Sequence, residues 1–411
     1  MVSFEDLGIN EAILRSIKEQ NYVEPTFIQE KSIPPILEGK DVIGQSATGS
    51  GKTLAFACGI IHSMEKGRGV GALVLTPTRE LAEQVSDALK GFSKHKFFKI
   101  AAIYGGVSIN PQVSLLRIAD VVVATPGRLL DHMQRGTINL SKVKIVVLDE
   151  ADRMVDMGFI DDVNKIVSQC PRNRQTLLFS ATMSPDIEKI KNRYMNNPVS
   201  IFTRQQVDPL KLSQEYYDVQ KELKFSLLVH LLNGEHSGSV IVFCNTRRQV
   251  DFLAKNLIKN NLDATAIHGG FSQAKRSNNM GRFQSKRINI LVCTDVAARG
   301  LDIKDVSHIY NYDIPKESKE YIHRIGRTAR AGKEGRVVNL LSDVDHPNFA
   351  AIFKAYPSIN IREMELPQIK RVQISVSPAS RRDGNFRKRG FQKNRSSSNR
   401  GAFYQKRRGS R

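Results

Sequence analysis

Two short stretches of this chain carry residue types suited to holding a metal and a phosphate. The aliphatic run Val146-Val147-Leu148 delivers Asp149-Glu150-Ala151-Asp152 to its own C-terminal edge. Buried strands of a parallel sheet read as continuous aliphatic runs, and in open α/β sheets ligands sit beyond the carboxyl ends of the strands. Asp149 and Glu150 therefore fall where a metal-nucleotide site is built. Acids also suit the first turn of a following helix, where they complement its dipole, and the tetrapeptide alone does not separate the two readings.

Roughly a hundred residues upstream, Thr48-Gly49-Ser50-Gly51-Lys52-Thr53 follows the strand-like Asp41-Val42-Ile43-Gly44 and precedes the helix-like Leu54-Ala55-Phe56-Ala57. Glycines let backbone N–H groups wrap phosphates at a helix N-terminus, Lys52 reaches the β- and γ-phosphates, and the Thr53 hydroxyl ligates Mg²⁺. The strict pattern G-x-x-x-x-G-K-[ST] fails at its first position, which is Ser46. The order strand, glycine-rich turn, helix, then a downstream acidic strand end still satisfies what a P-loop nucleotide site requires.

These residues need a scaffold. Aliphatic runs recur at Ala72-Leu73-Val74-Leu75-Thr76, Asp120-Val121-Val122-Val123-Ala124-Thr125, Ile145 to Asp149 and Thr176-Leu177-Leu178-Phe179-Ser180, each followed by a helix-compatible segment. Alternating strands and helices predict a right-handed parallel α/β sheet. A polar, proline-containing stretch at residues 204–213 reads as a linker. The pattern then restarts with Ser239 to Asn245, Ile288 to Thr294, His308 to Tyr312 and Arg336 to Leu341, without a second phosphate loop. We expect an N-terminal domain over residues 1–203, a C-terminal domain over residues 214–366, and a tail over residues 367–411.

The 411 residues suit two domains of ordinary size. No apolar stretch reaches eighteen residues, and Met1-Val2-Ser3-Phe4-Glu5-Asp6 lacks a basic segment followed by an apolar one, so a soluble cytoplasmic protein without a membrane span is expected. Cys58, Cys170, Cys244 and Cys293 form no C-x-x-C pair and read as reduced core thiols rather than a zinc or disulfide framework. The net charge is +21, and residues 381–411 hold +11 of it, from twelve basic residues and Asp383. Large apolar residues are too few from about Pro367 onward to form a core, which predicts a disordered basic tail. Phe386, Phe391, Phe403 and Tyr404 among its arginines suit an arm that neutralises phosphates and stacks on bases. A tail kept only for solubility is the alternative.

With these pieces in place, residues 3 to 365 resemble the DEAD-box family of superfamily-two ATP-dependent RNA helicases, in its compact prokaryotic form. Asp149-Glu150-Ala151-Asp152 is similar to the name-giving motif, with Met157-Gly158-Phe159 after it. Asn21-Tyr22-Val23-Glu24-Pro25-Thr26-Phe27-Ile28-Gln29 looks like the adenine-reading Q motif, with Phe4 as the isolated upstream aromatic. Pro77-Thr78-Arg79-Glu80-Leu81-Ala82, Gly105-Gly106, Thr125-Pro126-Gly127-Arg128 and Ser180-Ala181-Thr182 continue the likeness. So do Gln273 and Arg276, the run Thr294 to Asp302, and His323-Arg324-Ile325-Gly326-Arg327-Thr328-Ala329-Arg330. Asn21, Ser46 and Ala329 depart from the usual glycine, alanine and glycine.

The resemblance implies two tandem RecA-like domains, ATP and Mg²⁺ as cofactors, and RNA, single-stranded or in short duplexes, as partner. It implies a largely monomeric core, with ribonucleoprotein partners. Its roles map as follows. Phe4, Tyr22, Gln29, the loop Thr48 to Thr53, and Asp302 hold the nucleotide, and Thr53 and Asp149 hold the metal. Glu150 activates water, with Lys52, Arg327 and Arg330 stabilising the transferred phosphoryl. Arg79, Gly106, Thr125, Arg128, Arg276 and Thr294 contact the RNA backbone, and Ser180, Thr182, Asp152 and His323 couple the two ligands. From spacing alone, Arg327 and Arg330 share a helical face or are solvated charges, and Ser180 and Thr182 suit a cap for the next helix as well as coupling. The motifs leave open an ATP-gated RNA clamp and a DNA-directed motor beside a strand-separating helicase.

Overall fold

Every strand that the aliphatic runs predict appears in the computed structural model, which describes residues 2–46, 49–202, 212–234, 238–298, 306–328 and 335–375. The first sheet holds β1 (Val42–Gln45), β2 (Ala72–Leu75), β3 (Ile100–Ile103), β4 (Val121–Ala124), β5 (Ile145–Leu148), β6 (Gln175–Ser180) and β7 (Val199–Phe202). All pairings are parallel, in the order β3-β4-β2-β5-β6-β1-β7. Alternate residues of the central strands feed two cores, one on each face. Val74, Val123, Val147 and Phe179 pack into the first, and Leu73, Val122, Val146 and Leu178 into the second. Burial on both faces is why these strands read as unbroken aliphatic runs.

The second sheet holds β8 (Leu212–Asp218), β9 (Ser239–Cys244), β10 (Ala264–Ile267), β11 (Ile290–Thr294), β12 (Val306–Asn311), β13 (Gly335–Leu341) and β14 (Arg362–Glu363). Its order is β10-β11-β9-β12-β13-β8-β14. Numbered from its own first strand, this sheet repeats the permutation of the first: third, fourth, second, fifth, sixth, first, seventh. The shared architecture makes the missing phosphate loop legible in space. The helix Lys52–Ser63 follows β1, and the helix Lys224–Gly234 follows β8, so Lys224 stands where Lys52 stands in the first lobe. Its Nζ donates to Asp345 Oδ2 at 2.6 Å, and the same carboxylate accepts from the Ser342 hydroxyl at 2.8 Å. An internal carboxylate thus neutralises the lysine, and no glycine-rich turn precedes it.

Two boundaries differ from expectation. β8 begins at Leu212, inside the stretch read as linker, and residues 203–211 lie outside the described residues. The compact unit runs Met1–Val372, past the expected tail start at residue 367. Ile369 and Val372 pack on the second lobe's core, and Val372 N donates to Ser226 Oγ at 3.3 Å. Two spaced aliphatic residues suffice to hold this short segment, although a composition average over the tail hides them. Residues 376–411, with most of the basic arm, lie outside the described residues. All four cysteines are buried and unpaired, and burial pushes the Cys58 thiol up to about 12.

Candidate nucleotide and RNA site

The loop after β1 is held from two sides. Thr26 and Gln29 form a capping box at the start of the helix Phe27–Leu37, with Thr26 N donating to Gln29 Oε1 at 2.9 Å. Gln29 Nε2 donates to the Gly51 carbonyl at 3.0 Å, and Thr26 Oγ1 donates to the Ser50 carbonyl at 2.7 Å. Gly51 has φ +95°, and a β-carbon there would stand 2.3 Å from Gln29 Nε2. Only glycine fits both the backbone and the space. The fully buried Gln29 thus braces the loop through both its carboxamide oxygen and its carboxamide nitrogen. Ser46 is accommodated by its own contacts: its hydroxyl lies 2.8 Å from Ser50 Oγ, and its carbonyl accepts from Lys52 Nζ at 2.9 Å. Gly49 has φ +81°, and Thr53 opens the helix beside Lys52. Thr48 lies outside the described residues.

Asp149 and Glu150 emerge from β5 beside this loop. Both are buried, and burial pushes the Asp149 carboxyl up to about 6, with Lys52 pulling the other way and Glu150 adding to the rise. Asp149 Oδ1 has no hydrogen-bond partner. An orphaned, buried carboxylate oxygen near a lysine and a helix-start threonine fits a divalent cation. Among the described residues no cluster of three or more His, Cys, Asp or Glu surrounds it. Glu150 has φ 52° and ψ 49°, a left-handed backbone that is costly for a residue with a side chain, and its Oε2 pairs with the buried Arg153 Nη1 at 2.6 Å. The helix that starts there spans Ala151–Asp156, without a side-chain cap from Glu150. The acids therefore serve the strand edge as well as the helix start.

Of the expected coupling residues, Ser180, Thr182 and Asp152 meet across neighbouring strands. Ser180 Oγ donates to the Thr182 carbonyl at 2.7 Å, and Thr182 Oγ1 donates to Asp152 Oδ2 at 3.4 Å. The next helix, Pro185–Tyr194, is capped by Ser184, whose Oγ accepts from Ile187 N. Capping thus belongs to Ser184, and of the two hydroxyls upstream that of Thr182 reaches the acidic motif.

The expected RNA contacts of the first lobe converge on one loop. The Arg79 guanidinium packs over Gly106, whose φ is +81° and whose missing β-carbon would overlap Arg79 Nη1. Arg128 Nη2 donates to the Val107 carbonyl at 3.0 Å, and Thr125 stands just before the same helix, Pro126–Gln134, without a side-chain cap bond. Gln112 Nε2 donates to the Tyr104 carbonyl at 3.0 Å, and its Oε1 lies 3.3 Å from His132 Nε2. Sequence reading passed over Gln112 and His132, which carry no motif of their own. In the second lobe Thr294 closes β11, and Arg276 sits in the helix Gln273–Gln284.

Three expected site residues sit differently. Phe4 is 4% exposed in the first core, whereas Tyr22 is 41% exposed, beside Asn21 with φ 58°. Asn21 ends the helix Glu11–Glu19 in the left-handed conformation for which glycine is usual, and its side chain tolerates that conformation. The helix Ser318–Ile325, bearing His323, stops before Arg327, so Arg327 lies outside it. Thr328 instead bridges to Val306, and Arg327 is buried just before it. Asp302 and Arg330 lie outside the described residues. Arg324, read only as part of the motif, is fully buried and donates to both oxygens of Asp295 at 2.6 and 2.7 Å. It also donates to Asn311 Oδ1, the Asp313 carbonyl and Asn245 Oδ1, which ties three strand ends of the second lobe together.

Ion pairs between described residues cross between the lobes. Arg276 Nη2 lies 2.8 Å from Glu80 Oε1, and Lys319 Nζ lies 2.6 Å from Asp156 Oδ1. The second pair joins the helix that begins at the acidic motif to the helix that bears His323.

The DEAD/DEAH box helicase model matches residues 26–190, and the helicase conserved C-terminal domain model matches residues 223–332. The chain belongs to the DEAD/DEAH box helicase family. It is 46% identical over 344 residues to the ATP-dependent RNA helicase CshA of Listeria monocytogenes, covering 83% of this helicase and 66% of that protein. It is 40% identical over 374 residues to the DEAD-box ATP-dependent RNA helicase RhpA of Helicobacter pylori, covering 90% of this helicase and 76% of that protein. The solved structure of Saccharomyces cerevisiae Dbp5 bound to RNA and ADP BeF3 aligns with a TM-score of 0.80 at 31% identity, over 88% of this helicase and 95% of that chain. No described helix is long and apolar enough to cross a membrane.

Proposed function

We propose that this ATP-dependent RNA helicase clamps RNA and separates short duplexes locally, by closing its two lobes around one shared nucleotide. The observation that carries the reading is the Asp156–Lys319 ion pair at 2.6 Å, which joins the helix starting at the acidic motif to the helix bearing His323. A site completed only when both lobes meet makes ATP and RNA favour the same closed state, so each ligand strengthens the other.

In this reading Lys52 holds the β- and γ-phosphates, Gln29 and Tyr22 the adenine, and Asp302 the ribose. Thr53 and Asp149 hold Mg²⁺, which when bound neutralises charge developing on the phosphates. Glu150 orients the attacking water and takes its proton, the Arg153 guanidinium holding the carboxylate in place. Arg327 and Arg330 stabilise the transferred phosphoryl. Asp152, Thr182, Ser180 and His323 pass the state of the nucleotide to the RNA-gripping loop. There Arg79, Gly106, Thr125 and Arg128, with Arg276 and Thr294 opposite, contact the sugar-phosphate backbone, which carries no base information. The core acts as a monomer in the cytoplasm on ribonucleoprotein substrates, and the basic tail adds affinity without specificity.

Glu150→Gln tests the chemistry. ATP binding is expected to persist while RNA-stimulated turnover falls by about 10² to 10⁴, and Arg327→Ala is expected to cost about 10³ to 10⁵. Normal turnover in the first variant removes the water-activating base. In the second it removes the composite site.

A further inference from the structure

The first sheet presents a second charged face, at the edge opposite the catalytic residues. The connections entering β2, β3, β4, β5 and β6 are residues 64–71, 93–99, 117–120, 135–144 and 169–174. They carry eleven Lys and Arg against Glu65 and Asp120, a net +9, whereas residues 1–202 as a whole carry +2, so the rest of this lobe is at −7. These five strands are also contiguous in the sheet, in the order β3-β4-β2-β5-β6. Their first residues are in register: Ile100 pairs with Val121, Val121 with Ala72, Ala72 with Ile145, and Ile145 with Gln175. At the usual strand separation the strip is about 19 Å wide.

The strip is built, not frayed. The buried Asp120 holds two of the connections at once, its Oδ1 accepting from Gly67 N at 2.7 Å and its Oδ2 from Lys99 N at 2.8 Å. Gly71 N donates to the Asp120 carbonyl and Lys144 N to the Gly71 carbonyl, which links a third connection. Arg68 pairs with Glu65, and Lys94 with Glu19. Lys96, Lys99, Arg117, Lys142 and Lys144 are exposed and have no carboxylate within 4 Å among the described residues. Among them Phe97 is 69% exposed in a left-handed backbone, φ 55°, with Lys66 Nζ 5.8 Å from its ring centroid. An aromatic presented to solvent amid unpaired cations matches a flexible single strand, which offers a negative charge at each nucleotide and a π face on every base. An acidic protein segment answers the charges and leaves the ring without a stacking partner.

We propose that this rear face of the first lobe is a second, sequence-independent binding track for single-stranded RNA, in which Lys96, Lys99, Lys144 and neighbouring cations hold the backbone and Phe97 stacks on a base. It engages RNA that extends beyond the segment gripped at the ATP edge, so it acts on long strands and not on short ones.

The test uses the full chain, with the triple variant Lys96→Ala, Lys99→Ala, Lys144→Ala and, separately, Phe97→Ala. Binding of single-stranded RNA of about 30 and about 8 nucleotides is followed by fluorescence anisotropy across a salt series. For the long RNA the triple variant is expected to lower the slope of log affinity against log salt by about 2, at roughly 0.7 per lost contact. Phe97→Ala is expected to weaken binding by about fivefold or more, and arginine at the three lysine positions to restore it. Short-RNA binding, ATP turnover stimulated by short RNA, and the thermal midpoint are expected to stay unchanged. An unchanged slope and affinity for the long RNA overturns the proposal. So does a triple variant that loses a polyglutamate peptide while keeping the long RNA, which assigns the face to an acidic protein.

Discussion

Arg276 and Glu80, which lie in different lobes, approach to 2.8 Å in a largely buried ion pair. Arg276 is expected to meet RNA, yet in this arrangement its counterion is a first-lobe carboxylate one residue from Arg79. Glu80 therefore gives this arrangement of the lobes a contact that does not depend on ligand. Glu80→Ala and Arg276→Ala are each expected to raise the RNA concentration for half-maximal ATPase, and the charge swap Glu80→Arg with Arg276→Glu to recover part of the loss. A double-mutant cycle is expected to give a coupling on the order of 1 to 3 kcal/mol. Strict additivity shows that the pair does not set closure.

Gly51→Ala is expected to damage ATP binding more than fold stability. The new methyl meets Gln29 Nε2 and imposes a side chain on φ +95°, so the loop must leave its position. Isothermal titration should show affinity for ATP falling by about tenfold or more, with a nearly unchanged thermal midpoint. An ATP affinity equal to the parent's shows that the loop conformation is not needed for binding.

At Asn21 the prediction is one of rank. Its φ of 58° favours glycine, tolerates asparagine and strains alanine. Asn21→Gly is expected to leave the thermal midpoint within a degree or two, while Asn21→Ala costs about 1 kcal/mol. Tyr22 follows directly, so Asn21→Ala should also raise the KM for ATP. The opposite order of midpoints refutes the argument.

His132 links stability to pH. Burial, aided by the Arg128 charge, holds its pKa below the ordinary 6.5. The folded state therefore binds this proton less readily than the unfolded chain. The neutral ring's contribution is present above about 6.5 and is lost as pH falls through that value toward the folded pKa. Between pH 7.5 and 5.5 the thermal midpoint of the parent should fall further than that of His132→Gln, which keeps a hydrogen-bonding group without the titration. Parallel curves for the two proteins refute the linkage.

Much of the nucleotide site was legible because its chemistry is local. A phosphate loop is one turn between a strand and a helix, and the acids follow the most aliphatic strand, so spacing along the chain predicts spacing in the fold. Strands buried on both faces were found for the same reason. β3, β7, β8, β10 and β14 were missed, since Ile100-Ala101-Ala102-Ile103 and Ala264-Thr265-Ala266-Ile267 are too weakly aliphatic, β7 and β8 mix polar with apolar residues, and β14 is only Arg362-Glu363.

What the chain alone determined is the repeated α/β pattern, the single phosphate-loop motif and the residue types that its strand ends can offer. Only the tertiary structure decided which chemically identical groups do what. Arg324 and Arg327 stand three residues apart in one motif, and the packing of Asp295 and Asn311 around the first makes it a structural tie. Lys52 and Lys224 occupy equivalent places in two equivalent sheets, and Asp345, 121 residues beyond Lys224, neutralises one of them. Partners that far apart are brought together by sheet order and lobe packing, and no local pattern encodes them.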